Sequence, residues 1–594
     1  MASQRIHHRM VDLVQAEGVD KLFGIPDPSF FGMFIEAESR GMDIVSPHHE
    51  QAAAMMADGY YRMTGKPGVI CVNKGPGVAN IAGGVHYLKK ENVPAVFIMA
   101  QRHRLYEQRV RRGMTQFMRQ APMYDGVMKY VGVVEYVEQL DEVFQEAFRQ
   151  AMSGVPGPTM VELPLQIMQA ELDLPPVLPA SRYRLVNQEA GTAAIGKAVE
   201  ILTRAKYPIM LLGQGAFACR AHDEVAALAT QIGCPIISTI SVEAVLEGMD
   251  DRTLPYGSAS ASELVARADA VVAIGTEIGE AMHYGRGRHW SKGSTDRQWI
   301  YIEQDPTAIG VNRPIDAPLV GDLRAVVPQL RAALGDFAGT LPADVAKFVA
   351  DHQAYKQSLV SKLPETSKPI HTGRLAVEAS CALPADTVVV RDGGAASMWF
   401  NAALMMNPRD AMWSSNYGAI GTGLPYALGA KLAVGDERPV VVLTGDSSML
   451  FHIAEMETAV RKNLPVVVVV SVDYAWGLEE ASYKANFGPD TPIPEARWNR
   501  NVRLDKTAES FGAYGEFVDT VEDIRPAIER ALASGRPSLI HVEVDPSVNS
   551  SFAEVPGFAE FRTWYGEESD NLSPLVNKGG DPDGSGGKSS GSGY

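Results

Sequence analysis

Residues 440–477 read VVVLTGDSSMLFHIAEMETAVRKNLPVVVVVSVDYAWG. An apolar, β-branched run ends at Thr444, and a tight Gly445-Asp446 turn follows. The spacing then predicts a helix over Met449–Arg461 and a second strand ending at Asp473. Continuous apolar runs of this kind suit strands buried on both faces, hence a parallel sheet covered by helices. In an open parallel sheet, ligands gather beyond the carboxyl ends of the strands. Asp446 and Asp473 are expected at two such ends, on neighbouring strands, facing one crevice. Ser447 and Ser448 open the predicted helix, where free backbone N–H groups and the positive dipole favour a phosphate. Two carboxylates beside a phosphate call for a hard cation, Mg²⁺ or Ca²⁺.

Working outward, the same alternation of apolar run and amphipathic stretch fills the chain. GVICVNK and VPAVFIMA flank a predicted helix over Ile81–Lys90. YPIMLLG, CPIISTI, DAVVAIG and QWIYIEQD follow, then DTVVVRD and PSLIHVEVD around the opening stretch. Two proline-bearing linkers, ELDLPPVLPASRYRL with Pro175, Pro176 and Pro179, and SKLPETSKPIHTG with Pro364 and Pro369, divide these segments. The fold class expected is α/β: three doubly wound parallel-sheet domains over residues 1–180, 190–345 and 365–546, with a C-terminal extension over 547–594.

The 594 residues carry 54 Lys+Arg against 71 Asp+Glu, a formal charge of −17. That balance argues against a nucleic-acid partner, which normally demands a basic face, while leaving room for a local phosphate pocket. Cys71, Cys219, Cys234 and Cys381 form no CxxC pair, so reduced core cysteines are expected rather than a zinc site or disulfides. No stretch of about 18 apolar residues appears. A soluble, cytoplasmic protein with no membrane partner is the expectation. From about Asn577 the chain is Gly- and Ser-rich and is expected to stay disordered. Before it, Phe552, Phe558, Phe561, Trp564 and Tyr565 form an aromatic cluster expected either to pack on the protein's own core or to cover a ligand.

Three stretches, in order along the chain, resemble thiamine-diphosphate-dependent enzymes. The opening stretch resembles the family's thiamine-diphosphate/magnesium motif, which starts Gly-Asp-Gly or Gly-Asp-Ser and ends in Asn-Asn. Here it starts Gly445-Asp446-Ser447 and ends Val472-Asp473. The resemblance places Asp473 on the metal-binding Asn, with Asp446 and the Ala475 carbonyl as the other protein ligands. Trp476 and Gly477 follow at the cofactor. Upstream, SPHHEQAAAMMADGYYRMTGKPGVICVNKGPGVANIAGG puts Glu50 on the glutamate that bonds the cofactor's pyrimidine ring. It stabilises the imino tautomer, whose nitrogen removes the thiazolium proton, and an apolar, buried pocket is expected around it. Lys74-Gly75-Pro76-Gly77 and Asn80 fit the family's Ser-Gly-Pro-Gly…Asn loop, with Lys in place of Ser. In SSNYGAIGTGLPYALGAKLAVG, Ile420 aligns with the apolar residue that holds the cofactor bent, beside Gly418, Gly421 and Gly423. Asp392-Gly393-Gly394-Ala395 matches a further diphosphate-side loop.

Within that family, GTEIGEAMHYGRGRHWSKG and YIEQDPTAIGVNRPIDAPLVGD look like the branch of oxalyl-CoA decarboxylases and 2-hydroxyacyl-CoA lyases. The resemblance implies a CoA thioester substrate held by Arg286 and Arg288, with His289 and Lys292 nearby and Arg562 from the C-terminal piece. ADP is the further ligand it suggests, as an effector. Phe117 and Gln120 fall where the substrate should sit. The expected reaction is cleavage of a branched 2-hydroxyacyl-CoA, of the 2-hydroxyisobutyryl type, to formyl-CoA and a ketone or aldehyde. Glu495, or else Glu479, would move the hydroxyl proton. The alternative within the family is an acetolactate-synthase-like or 2-oxoacid decarboxylating enzyme. Outside it stands a hydride-transfer enzyme, suggested by Gly213-x-Gly215-x-x-Ala218, and a different class again is a cofactor-binding but non-catalytic regulatory homologue. The family's site forms between chains, so a homodimer or a dimer of dimers is implied.

Overall fold

The computed structural model describes residues 3–551 except 108–112, 240, 241, 243, 286–289, 291–296 and 415. Arg286, Arg288, His289, Lys292 and Arg562 lie outside the described residues, as do the aromatic cluster and the Gly/Ser-rich tail. Three six-stranded parallel sheets succeed one another, with strands within residues 21–164, 208–320 and 388–543. The first and third share one strand order, 2-1-3-4-6-5, counting within each domain. The middle sheet runs 3-2-1-4-5-6, the doubly wound order of dinucleotide-binding folds. A two-stranded antiparallel pair, Ser3–Arg5 with Glu171–Asp173, staples the chain start beneath the first domain. Among the described residues no helix is long and apolar enough to cross a membrane.

The valine runs behave as their composition requires. Every residue of strands Val440–Gly445 and Val466–Val472 is buried. They pair in parallel with Gly445 opposite Ser471, so Asp446 and Asp473 emerge side by side. The helix between them differs from the sequence expectation. One turn covers Asp446–Met449, the chain breaks, and a second helix covers Glu455–Arg461. The break follows from His452: its Nδ1 donates to the Gly421 carbonyl at 2.7 Å, and the ring is buried. Leu450 and Phe451, at the break, are exposed.

The first and third domains share one apolar core. Helix Glu50–Thr64 crosses helix Gly423–Val434 at two glycines. A Cβ on Gly59 would strike the Tyr426 carbonyl, and one on Gly429 would strike the Met56 carbonyl. Only hydrogen side chains allow this approach. Beside the crossing lies a buried polar network. Arg62 Nε donates to Asp58 Oδ1 at 2.8 Å and Tyr87 OH donates to Asp58 Oδ2 at 2.6 Å. Arg62 Nη2 reaches Glu91 Oε2 and Tyr426 OH, each at 3.3 Å. Glu91 Oε1 accepts from Ser414 Oγ at 3.1 Å and from the Tyr417 N–H at 3.0 Å. Such a network breaks at high cost once one partner is lost, so it fixes the Gly-rich loop of the third domain against the first.

Candidate active site

A cavity of about 1570 Å³ opens at the carboxyl ends of the third-domain strands and runs into the middle domain. Its wall brings together Gly394, Ala395, Gly418, Ile420, Gly445, Asp446, Ser447, Asp473, Ala475, Trp476 and Gly477. Residues from three strand ends and one Gly-rich loop thus converge at the switch point, where the strand order reverses.

Both carboxylates are held by backbone N–H groups. Asp446 Oδ1 accepts from Ser447 and Oδ2 from Tyr474, each at 2.8 Å. Asp473 Oδ1 accepts from Ala475 at 3.1 Å and Oδ2 from Asn549 Nδ2 at 2.7 Å. Burial first, then the neighbouring Asp473 charge, pushes Asp446 well above the usual carboxylate range. Burial likewise pushes Asp473 up, against the pull of the Asn549 and Ala475 hydrogen bonds. Two buried carboxylates side by side are electrostatically unfavourable alone and favourable around a cation. Among the described residues no group of three or more His, Cys, Asp or Glu side chains converges on one point. Two carboxylates would be too few oxygens to hold a hard cation alone, and a bound diphosphate would add more.

The surroundings fit that diphosphate. Among the described residues Ser471 Oγ is buried without a hydrogen-bond partner, and Ser448 is buried beside the Asp392 carboxyl; the two serines lie next to Asp473 and Asp446 in sequence and register. Gly393 has φ +107°, and a Cβ there would meet the Gly445 nitrogen and Ser448 Oγ at 3.3 Å. The helix N-terminus expected to receive a phosphate is short and partly used, however. The helix that opens at Asp446 is four residues long, and the Ser447 N–H is already taken by Asp446.

The first-domain residues gather elsewhere. Glu50 opens helix Glu50–Thr64, capped by His49 Nδ1 accepting from the Gln51 N–H at 3.1 Å. Asn80 Nδ2 donates to Glu50 Oε2 at 3.0 Å, and Glu50 Oε1 faces Gly77, where a Cβ would approach to 3.2 Å. Glu50, Gly75, Pro76 and Asn80 therefore form one cluster, but none of them lines the cavity. Glu50 is only half-buried, so the enclosure expected for it is not supplied by this chain alone.

Several substrate-side expectations change. Gln120 is buried with its amide engaged: the Gly75 N–H donates to Oε1 at 3.0 Å, and Nε2 donates to the Ala100 carbonyl at 2.9 Å. It ties the Gly75 turn to strand Ala95–Gln101. Phe117 is half-buried and, like Gln120, is not on the cavity wall. Glu495 is exposed at φ +54° and away from the wall, whereas Glu479 lines it. The glycines of Gly213-x-Gly215 are explained by packing: a Cβ on Gly215 would lie 3.0 Å from Gly275 Cα, and one on Gly275 2.6 Å from the Ala216 nitrogen. They let two loops touch at the middle domain's own switch point.

Glu455 and Asn549 escaped sequence reasoning, and Asp392 was legible only as the start of a diphosphate-side loop, not for the contacts it makes. Asp392 is buried and accepts from the Gly421 and Gly423 N–H groups at 3.2 and 2.8 Å, joining two cofactor-side loops. Its place ahead of Gly393-Gly394 was the available signal. Glu455 accepts from the His48 N–H at 3.0 Å, linking the chain just before Glu50 to the third domain. Asn549 carries no local signal, because it reaches Asp473 across 76 residues.

Comparison with known proteins agrees with this geometry. Residues 4–123 match the thiamine pyrophosphate enzyme N-terminal TPP binding domain, 195–330 the central domain and 392–542 the C-terminal TPP binding domain. A probable acetolactate synthase large subunit of Methanococcus aeolicus is 25% identical, over 92% of this chain and 93% of that protein. The sulfoacetaldehyde acetyltransferase of Alcaligenes xylosoxydans xylosoxydans is 28% identical, over 88% and 89%. Acetolactate synthase isozyme 2 large subunit of Escherichia coli K12 is 26% identical, over 91% and 95%. With all three domain types in order over more than half its length, and the acidic pair at the strand ends, this chain belongs to the thiamine-diphosphate-dependent enzymes.

Proposed function

We propose that the protein is an acetolactate-synthase-like enzyme: it takes a 2-oxo acid such as pyruvate, releases CO₂, and joins the remaining unit to a second carbonyl compound. The observation that carries this reading is full-length similarity to acetolactate synthases, in a chain that keeps Glu50 and the Asp446–Asp473 pair. When bound, thiamine diphosphate supplies the nucleophilic carbon and the electron sink. Asp446, Asp473 and the Ala475 carbonyl would hold Mg²⁺, and the Ser447–Ser448 turn and Gly393–Gly394 would receive the diphosphate. Ile420, on the cavity wall, would hold the cofactor bent. Glu50, positioned by Asn80, would keep its proton at Oε1 for a pyrimidine nitrogen. Trp476, packed edge-on against Trp498 at 5.6 Å and Phe451 at 6.2 Å, would exclude water from the reacting end. Glu479 is the carboxylate placed to move a substrate proton.

Because the Glu50 cluster stands away from the cavity of its own chain, the site would be completed by a second copy, so a homodimer or larger homo-oligomer is part of the reading. The 2-hydroxyacyl-CoA lyase reading keeps one structural support, the arm of the cavity reaching Gly215, Gly275 and Tyr301 at the middle-domain strand ends. On that reading the adenosine diphosphate of CoA, or ADP, would lie along this arm. One assay separates the two readings. Purified protein with thiamine diphosphate and Mg²⁺ is given pyruvate, and separately 2-hydroxyisobutyryl-CoA. CO₂ and acetolactate from pyruvate are expected. Thioester cleavage to a ketone, with no CO₂ from pyruvate, would overturn the synthase reading in favour of the lyase.

A further inference from the structure

Asp473 occupies the position where the family motif carries an asparagine. An amide brings one acceptor oxygen and two N–H donors; a carboxylate brings acceptors only. The structure supplies a donor from elsewhere. Asn549, the last residue of the short helix Pro546–Asn549, is 1% exposed and donates from Nδ2 to Asp473 Oδ2 at 2.7 Å. The direction of its amide is fixed at the other end, where Thr372 Oγ1 donates to Asn549 Oδ1 at 2.9 Å. Flipping the amide would set an oxygen against the carboxylate and an N–H₂ against the hydroxyl proton. Gly477 makes room for the contact: a Cβ there would lie 2.7 Å from Asp473 Oδ2 and 3.1 Å from Asn549 Cβ. First and last helices of the third domain, Thr372–Ala382 and Pro546–Asn549, thus meet at the acidic pair.

We propose that Asn549 is a positioning residue for the divalent cation: its amide, held by Thr372, fixes the Asp473 carboxylate in one orientation and replaces the amide absent from position 473. This rests on the reading of Asp446 and Asp473 as the Mg²⁺–diphosphate site. The pair Asp473–Asn549 is the family asparagine divided between two residues. Outer partners of metal ligands orient them and tune affinity, and their loss typically weakens metal binding by about 10–100-fold.

The test uses the full-length protein and four variants: Asn549→Leu, Asn549→Asp, Asp473→Asn and the exchange Asp473→Asn/Asn549→Asp. Thiamine diphosphate binding is titrated by calorimetry at stepped Mg²⁺ concentrations. Mn²⁺ binding is followed by electron paramagnetic resonance, and the thermal midpoint of the metal-free protein is recorded. Asn549→Leu is expected to raise the Mg²⁺ concentration for half-saturation roughly 10-fold, with cofactor stoichiometry unchanged at saturating metal. Asn549→Asp should be worse than Asn549→Leu in the metal-free protein, since two carboxylates then face each other. The exchange rebuilds the N–H···O bond with roles reversed and should return metal affinity to within about threefold of the parent. Should Asn549→Leu fail to fold, the comparison of Asn549→Asp with the exchange carries the same information. Unchanged Mg²⁺ dependence in Asn549→Leu, or an exchange no better than Asn549→Asp alone, overturns the proposal. Failure of the parent protein to bind thiamine diphosphate with Mg²⁺ would instead overturn the site reading beneath it.

Discussion

Replacing Gly429 by alanine tests the frame that carries the site. A Cβ at Gly429 would strike the Met56 carbonyl oxygen and lie 2.8 Å from the Tyr60 nitrogen, where ordinary contact begins at 3.4 Å. The two helices must therefore part by about 0.6 Å at Tyr60 and by more at Met56. The obstructing atoms are backbone, so no rotamer change relieves them. Overpacking of this kind costs roughly 1–3 kcal/mol, and a backbone clash belongs at the upper end. Alanine's better helix propensity offsets about 1 kcal/mol, leaving a net loss of roughly 2 kcal/mol. Gly196 is the internal control: it is exposed in helix Thr192–Arg204, and a Cβ there would meet nothing within 4 Å. Gly196→Ala should gain about 1 kcal/mol from propensity alone. Urea unfolding followed by circular dichroism should thus shift in opposite directions for the two variants. Both helices begin at candidate cofactor positions, Glu50 and Gly423, so Gly429→Ala should also lower kcat/KM, by up to about 100-fold. A Gly429→Ala protein as stable as its parent, or stabilised like Gly196→Ala, would refute the close crossing as the joint between the domains.

Glu50→Gln keeps an acceptor for Asn80 but removes the ionisable proton. Turnover should fall by roughly 10²–10⁴-fold while calorimetry shows thiamine diphosphate affinity within a few-fold, and wild-type turnover would remove Glu50 from the mechanism. His541 gives a pH signature. Burial holds its imidazole down to about 4, and its Nδ1 accepts the Leu504 N–H at 3.3 Å, which requires the neutral ring. Its folded value lies below the unfolded value of about 6.5, so the unfolded chain takes up the proton first as pH falls. Stability is fully present above about pH 6.5 and declines towards pH 4, by about 1.4 kcal/mol per unit and roughly 3 kcal/mol in all. His541→Phe should flatten this acid limb in urea unfolding between pH 7 and 4; an equally steep limb in the variant would assign the loss to other groups.

The legible parts of the site were those set within a few residues. Asp446 follows one valine run and Asp473 the next, and parallel pairing of two such runs leaves their carboxyl ends adjacent. The helix between them was read too long, because its break depends on His452 bonding a carbonyl 31 residues earlier. Gln120 was expected on the substrate side, but its amide is engaged by the Gly75 N–H and the Ala100 carbonyl, contacts 45 and 20 residues away in sequence. Glu495 and Glu479 are equivalent as letters, and only the fold puts Glu479, in the first turn of helix Gly477–Phe487, on the cavity wall and leaves Glu495 outside it.

Apolar run length and the spacing of glycine and proline by themselves determined three parallel α/β units in series, because strands buried on both faces have no polar alternation to hide. Motif order determined the cofactor class on the same local basis. Only the tertiary structure decided that the Glu50 cluster and the acidic pair occupy different places on one chain, and that Asp473 borrows an amide from Asn549. Those facts depend on contacts between residues far apart in sequence, such as the Gly59–Tyr426 and Asp473–Asn549 approaches, whose geometry is set by packing and leaves no periodic trace in the chain.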